Sequence, residues 1–148
     1  MIMDTDISSK RMYDTVLKAC ELMFKSFDRN DENKEVEFRV SGDPFPVHFK
    51  ITVRSDKGLL TFFSVLGFKV AKEKRQEFSL KICKINYEDL YAGSFDFNPE
   101  TGAAVFRVSV PYKDSLISKE TVCDIIKYIR NVLNEYNEEL FMLSRGAE

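Results

Sequence analysis

One histidine, three cysteines and scattered carboxylates are the groups with chemistry to offer in this 148-residue chain. His48 falls on the polar side of the alternating run Val47-His48-Phe49-Lys50. A solvent-facing strand histidine is expected there rather than a general base, and a His-based metal site has no second imidazole to draw on. Cys20, Cys83 and Cys123 lie far apart, so no pair has the short spacing of zinc ligands. An odd number closes no disulfide framework. All three fall in predicted helices and read as reduced, buried thiols that act as small hydrophobes. Asp28, Asn30 and Glu32 copy the first half of a calcium loop. The copy fails at Asn33, where glycine is required, and at Arg39, where the bidentate Glu belongs.

The six glycines are dispersed, so no phosphate-cradling loop or dinucleotide fingerprint forms. No Ser stands in a Gly-x-Ser-x-Gly elbow. Carboxylates on the helical stretches alternate with lysines, the pattern of a solvated face. The basic group Lys69, Lys72, Lys74, Arg75, Lys81 and Lys84 is interleaved with Glu73 and Glu77. Pairs at helical spacing cancel much of its field, so no nucleic-acid partner is expected. No catalytic residue, cofactor or metal is assigned.

The totals agree. Twenty-two basic residues against 24 acidic ones leave a formal charge of −2, with no polyanion or anionic membrane surface implied. Hydrophobic residues at 44% and charged ones at 31% describe a globular chain. At this length roughly two thirds of the surface is buried on folding, enough to dispense with metals or disulfides. No apolar run approaches bilayer length. The start Met1-Ile2-Met3-Asp4-Thr5-Asp6 lacks a basic, then apolar leader, so a cytoplasmic location is expected. Thirteen Phe and no Trp must find a core or an interface.

The elements that would position these residues follow from periodicity. Helix one is predicted from about Ser9 to Phe27, with Met12, Val16, Ala19, Cys20, Met23, Phe24 and Phe27 on one face. Asp6 or Ser8 is the expected cap. Asp28 to Lys34 is polar throughout and reads as a loop. Three strands follow. Val36, Phe38 and Val40 alternate in the first, and Val47, Phe49, Ile51 and Val53 line the second. The third, Leu59 to Leu66, is apolar on both faces, with Leu60 and Phe62 opposed to Leu59, Phe63 and Val65. Helix two begins near Ala71 and buries Phe78, Ile82 and Ile85, with Asn86 as a kink at its end. Strands four and five flank Asn98-Pro99-Glu100-Thr101-Gly102, a turn closed by a left-handed glycine. Gly93 suits a close backbone approach. Ser118 caps a long third helix striped by Val122, Ile125, Ile126, Ile129, Val132, Leu133, Tyr136 and Leu140. This is an α+β two-layer sandwich, α-β-β-β-α-β-β-α, with an antiparallel sheet and helices on one face. A single domain over 1–148 is expected, since no linker interrupts it.

This order, with Ile85-Asn86, Leu90, Gly93, Phe95 and Gly102 through Arg107, resembles the bacterial YbjN-like family over roughly Tyr13 to Gly146. That family's fold is similar to the type III secretion chaperones, small acidic homodimers that wrap unfolded segments of a client. The resemblance implies a bacterial, cytoplasmic, non-catalytic protein, commonly labelled a sensory-transduction regulator, and no catalytic residue.

The feature that points outward is surplus apolar surface. Phe63, Val65 and Phe68 are the expected protein-interaction residues, unless a helix or the Pro44-Phe45-Pro46 loop covers them. A homodimer burying about 800 Å² per partner is within reach of such rings. The expected function is non-enzymatic protein binding, chaperone-like or regulatory, through grooves beside the sheet. A dedicated type III secretion chaperone and an enzyme with an unrecognised pocket are the alternatives.

Overall fold

A computed structural model describes the backbone of residues 2–146 and the side chains from residue 7. The elements are α1 (Ile2–Met23), β1 (Asp28–Asn30), β2 (Glu35–Val40), β3 (Val47–Arg54), β4 (Leu59–Val65), α2 (Arg75–Glu88), β5 (Ser94–Phe97), β6 (Ala104–Pro111) and α3 (Lys119–Ser144). The strands form an antiparallel six-stranded open sheet in the order β1-β2-β3-β4-β6-β5. The α+β architecture is the one expected, with one short strand added.

That strand is β1. Its three residues are exposed on both faces, so no alternation marks them. Asn30 Oδ1 accepts the Asn33 N–H at 3.1 Å, and Lys34 takes a left-handed φ of 53°. The resulting turn folds Arg29 back opposite Val36. What reads as a polar loop is a hairpin edge. Helix α1 also departs from expectation, running from Ile2 and stopping at Met23. Ser8 therefore lies inside the helix, and the Asp6 side chain lies outside the described residues. Ser118 does cap α3: its Oγ accepts the Thr121 N–H at 3.1 Å.

Close packing divides the chain into two compact units, whose boundaries fall within strands and within α3. One holds residues through Phe38, with Phe49–Phe62 and Ser109–Tyr128. In it α1 buries Met12, Tyr13, Val16, Leu17, Ala19 and Cys20. Phe38 lies between Phe24 and Phe49, with ring centroids 4.3 and 5.0 Å away. Tyr13 donates to Asp31 Oδ1 at 2.7 Å, and burial together with that carboxylate pushes its phenol up to about 12. Ser9 and Tyr112 share a buried hydroxyl hydrogen bond of 2.8 Å.

The other unit holds Arg39–His48, Phe63–Val108 and the chain from Ile129 onward. Its core is aromatic. Phe95 faces its cross-strand partner Phe106 at 4.9 Å and Tyr136 of α3 at 5.9 Å. Phe78 of α2 reaches Phe97 at 5.0 Å. The chain enters α2 through a 3₁₀ turn at Lys72–Lys74. Asn86 is no kink; it lies in the last turn of α2. Its carboxamide donates to Phe95 O at 3.0 Å and accepts the Phe95 N–H at 2.9 Å. One side chain thus serves as a strand partner on the open side of β5, which lies at the sheet edge. Gly93, at φ +77°, permits this turn. A Cβ there would lie 2.8 Å from Val108 Cγ2 and 2.9 Å from Arg107 O.

Candidate functional site

Strand β4 is buried on both faces through Leu60, Thr61 and Phe62, then opens outward. Leu60, Phe62 and Ser64 are buried, Phe63 is half-buried, and Val65 is 51% exposed. Ser64 is held by donating to His48 O at 2.6 Å. Beyond Val65 the chain stays laced to the start of β6: Leu66 N–H donates to Ala104 O at 3.0 Å, and Val70 N–H to Gly102 O at 2.8 Å. Between these two bonds lies a hollow of about 260 Å³ lined by Val65, Leu66, Gly67, Phe68, Lys69 and the Ala103-Ala104 pair.

The structure splits the three residues singled out from the sequence. Val65 and Phe68 line this hollow and Phe63 does not. Phe68 turns into a ring cluster, with centroids 6.0 Å from Phe45, 6.4 Å from Phe78 and 5.6 Å from Phe141. The Pro44-Phe45-Pro46 loop therefore does reach Phe68. Val65 stays open.

A second apolar surface in the same unit lies on the helices, and sequence reasoning missed it. The inward stripe of α2, Phe78, Ile82 and Ile85, is buried. Leu80, Cys83 and Tyr87 stand on the opposite side at helical spacing. Leu80 is 67% and Tyr87 90% exposed, and Cys83 is exposed as well. Cys83 thus departs from the expected burial, whereas Cys20 is buried, its thiol pushed up to about 12 by desolvation. Cys123 is intermediate. From α3, Met142 joins the patch at 60% exposure. With Leu80, Leu143, Lys84 and Glu77 it lines a groove of about 590 Å³ spanned by a Lys81 Nζ to Glu139 Oε1 ion pair of 2.7 Å. That carboxylate holds the Lys81 ammonium above its ordinary range. A helical projection of α2 for apolar residues on both sides would have revealed this face.

Chemistry for catalysis is sparse in what is described. The buried polar side chains are Ser9, Thr52, Thr61, Ser64, Asn137 and Ser144, with no carboxylate among them. No group of three or more His, Cys, Asp or Glu among the described residues is placed to hold a metal ion. A hollow of about 640 Å³ in the first unit is ringed by the turns Ser55–Leu59 and Pro111–Asp114. Its Asp56 is solvated and faces Arg54 at 3.6 Å, and its Tyr112 hydroxyl is engaged by Ser9. Among the described residues, no helix is long and apolar enough to cross a membrane.

Neither a family model nor a curated protein matches the sequence. Solved structures do match the fold. A chain of the ExoT–SpcS complex from Pseudomonas aeruginosa aligns at a TM-score of 0.54 and 10% identity, over 84% of this chain and 95% of that one. The Yersinia pestis type III secretion chaperone SycH, solved with a stable fragment of YscM2, aligns at 0.53 and 11%, over 89% and 98%. Identities this low establish a shared fold, that of a type III secretion chaperone, and nothing finer.

Proposed function

We propose that this protein is a non-enzymatic, chaperone-like or regulatory polypeptide-binding domain that acts as a homodimer in the cytoplasm. The observation that carries the reading is the outward face of α2. Leu80, Cys83 and Tyr87 put two large apolar side chains and a thiol into water on a helix whose other face is fully used. Surface of that kind marks a contact. The stripe is self-complementary. With a two-fold axis near Cys83, antiparallel α2 helices set Leu80 of each copy against Tyr87 of the other, the arrangement an isologous dimer requires. Met142 and Leu143 extend the same face.

The β4-end hollow, with Val65 and Phe68, is the proposed client contact, Phe63 adding apolar surface beside Val65 on the strand. The single-domain reading over 1–148 and the YbjN-like affiliation belong to this proposal. The likeness to SycH supports one variant, a dedicated type III secretion chaperone. The enzyme alternative would need converging acids or a nucleophile–base pair; among the described residues the buried polar side chains are Ser9, Thr52, Thr61, Ser64, Asn137 and Ser144.

Sedimentation velocity at micromolar concentration tests the dimer. The wild type is expected at twice the chain mass, and Leu80→Asp with Tyr87→Asp at once. A wild-type monomer, or a doubly substituted chain that stays dimeric, overturns it.

A further inference from the structure

We infer that the hollow at the end of β4 takes a client segment of defined chemistry, an aliphatic or aromatic side chain flanked by carboxylates. This rests on the polypeptide-binding reading and specifies its partner. The lining is apolar except for one residue, Lys69. Lys69 lines the hollow, is exposed and forms no ion pair among the described residues, which leaves its charge for a ligand. Arg145, further along the ring cluster, places its guanidinium 5.7 Å from the centroid of Phe141. Among the described residues, no acid lines the opening to offset Lys69.

The hollow is also built to stay open. Its floor, Leu66 and Ala104, is buried and joined by the Leu66–Ala104 backbone bond. Phe68 is braced by three other rings and cannot swing across it without leaving them. A preformed apolar recess costs a ligand less to enter than one that must be opened. A cation at its mouth selects among apolar ligands by the sign of their flanks. The α2–α3 groove lacks this selectivity, because Lys81 and Lys84 share it with Glu77 and Glu139.

The test uses three fluorescein-labelled peptides on the full chain: Gly-Ser-Glu-Leu-Glu-Ser-Gly, its Lys-flanked counterpart, and a Glu-flanked peptide with Ser replacing Leu. Anisotropy at low salt gives affinity, and methyl NMR locates the contact. The Glu-flanked Leu peptide is expected to bind and to shift the Val65, Ala103 and Ala104 methyl signals. Lys69→Glu should weaken it roughly ten-fold and favour the Lys-flanked peptide, since reversal removes an attraction and adds a repulsion. Ala103→Phe, which fills the recess, should abolish binding. Equal binding whatever the flanks, unmoved methyl signals, or no binding overturns the inference. Equal binding that Ala103→Phe still blocks leaves the polypeptide-binding reading standing, and the dimer is judged separately by sedimentation.

Discussion

The recess at the end of β4 and the outward face of α2 lie in the same unit, yet they arise in opposite ways. The recess is a by-product of order: backbone bonds and four interlocked rings hold a strand end and leave a gap beside it. The α2 face is surplus. Its helix has already buried Phe78, Ile82 and Ile85, and Leu80 and Tyr87 have nothing left to pack against. A preformed, one-signed recess suits selection of a segment. An exposed stripe that is self-complementary about a two-fold axis suits a second copy. On the proposed reading, apolar exposure alone does not specify a partner; the rigidity and charge of its surroundings do.

Substitution at Phe78 should break the contrast most severely, because this ring anchors α2 and braces Phe68. Phe78→Ala is expected to cost about 3–5 kcal/mol in urea unfolding and to remove both surfaces together. Asn86→Ala tests the recess's rigid neighbourhood without touching an apolar contact. It strips the Phe95 N–H and C=O of their partner and should cost about 1–3 kcal/mol, with faster amide exchange in β5. Peptide binding at the recess should survive where the fold does.

Tyr136 sharpens the comparison from the alkaline side. Burial, and then its 3.0 Å hydrogen bond to Asp89 Oδ2, push the phenol up to about 12. A raised value means the folded state holds the proton more tightly. This contribution is complete below a pH of about 10, the ordinary phenol value, and is lost as pH rises through the folded value. Absorbance titration should show two late ionisations, those of Tyr13 and Tyr136, and Tyr136→Phe should remove one of them and lessen the loss of stability in that window. The smallest effect belongs to Lys81→Gln. Its ion pair with Glu139 is solvated, so stability should scarcely move, while the salt dependence of dimerisation reports whether the α2 face uses it.

Much of the frame was legible in the sequence because periodicity records burial. The Val47, Phe49, Ile51 and Val53 face of β3 is buried as its pattern places it, although Thr52 on the other face is buried too. The α3 stripe from Val122 to Leu140 is buried apart from half-buried Ile125, and Ser118 caps that helix. Gly102 takes the left-handed conformation its turn requires, at φ +81°. β1 escaped because an edge strand exposed on both faces has no alternation to read. The α2 face escaped for a related reason: once one stripe explains a helix, apolar residues opposite it look like noise. Asn86 was noticed, but its role depends on Phe95 lying at an open edge, which only the strand order reveals.

Cross-linking through Cys83 tests the central claim most directly, since the thiol sits mid-stripe on α2 while Cys20 is buried. A short bismaleimide added to the native protein should yield a covalent dimer that Cys83→Ser abolishes and Cys123→Ser leaves intact. A cross-link that persists in Cys83→Ser, or none from a species that sediments as a dimer, would contradict the account.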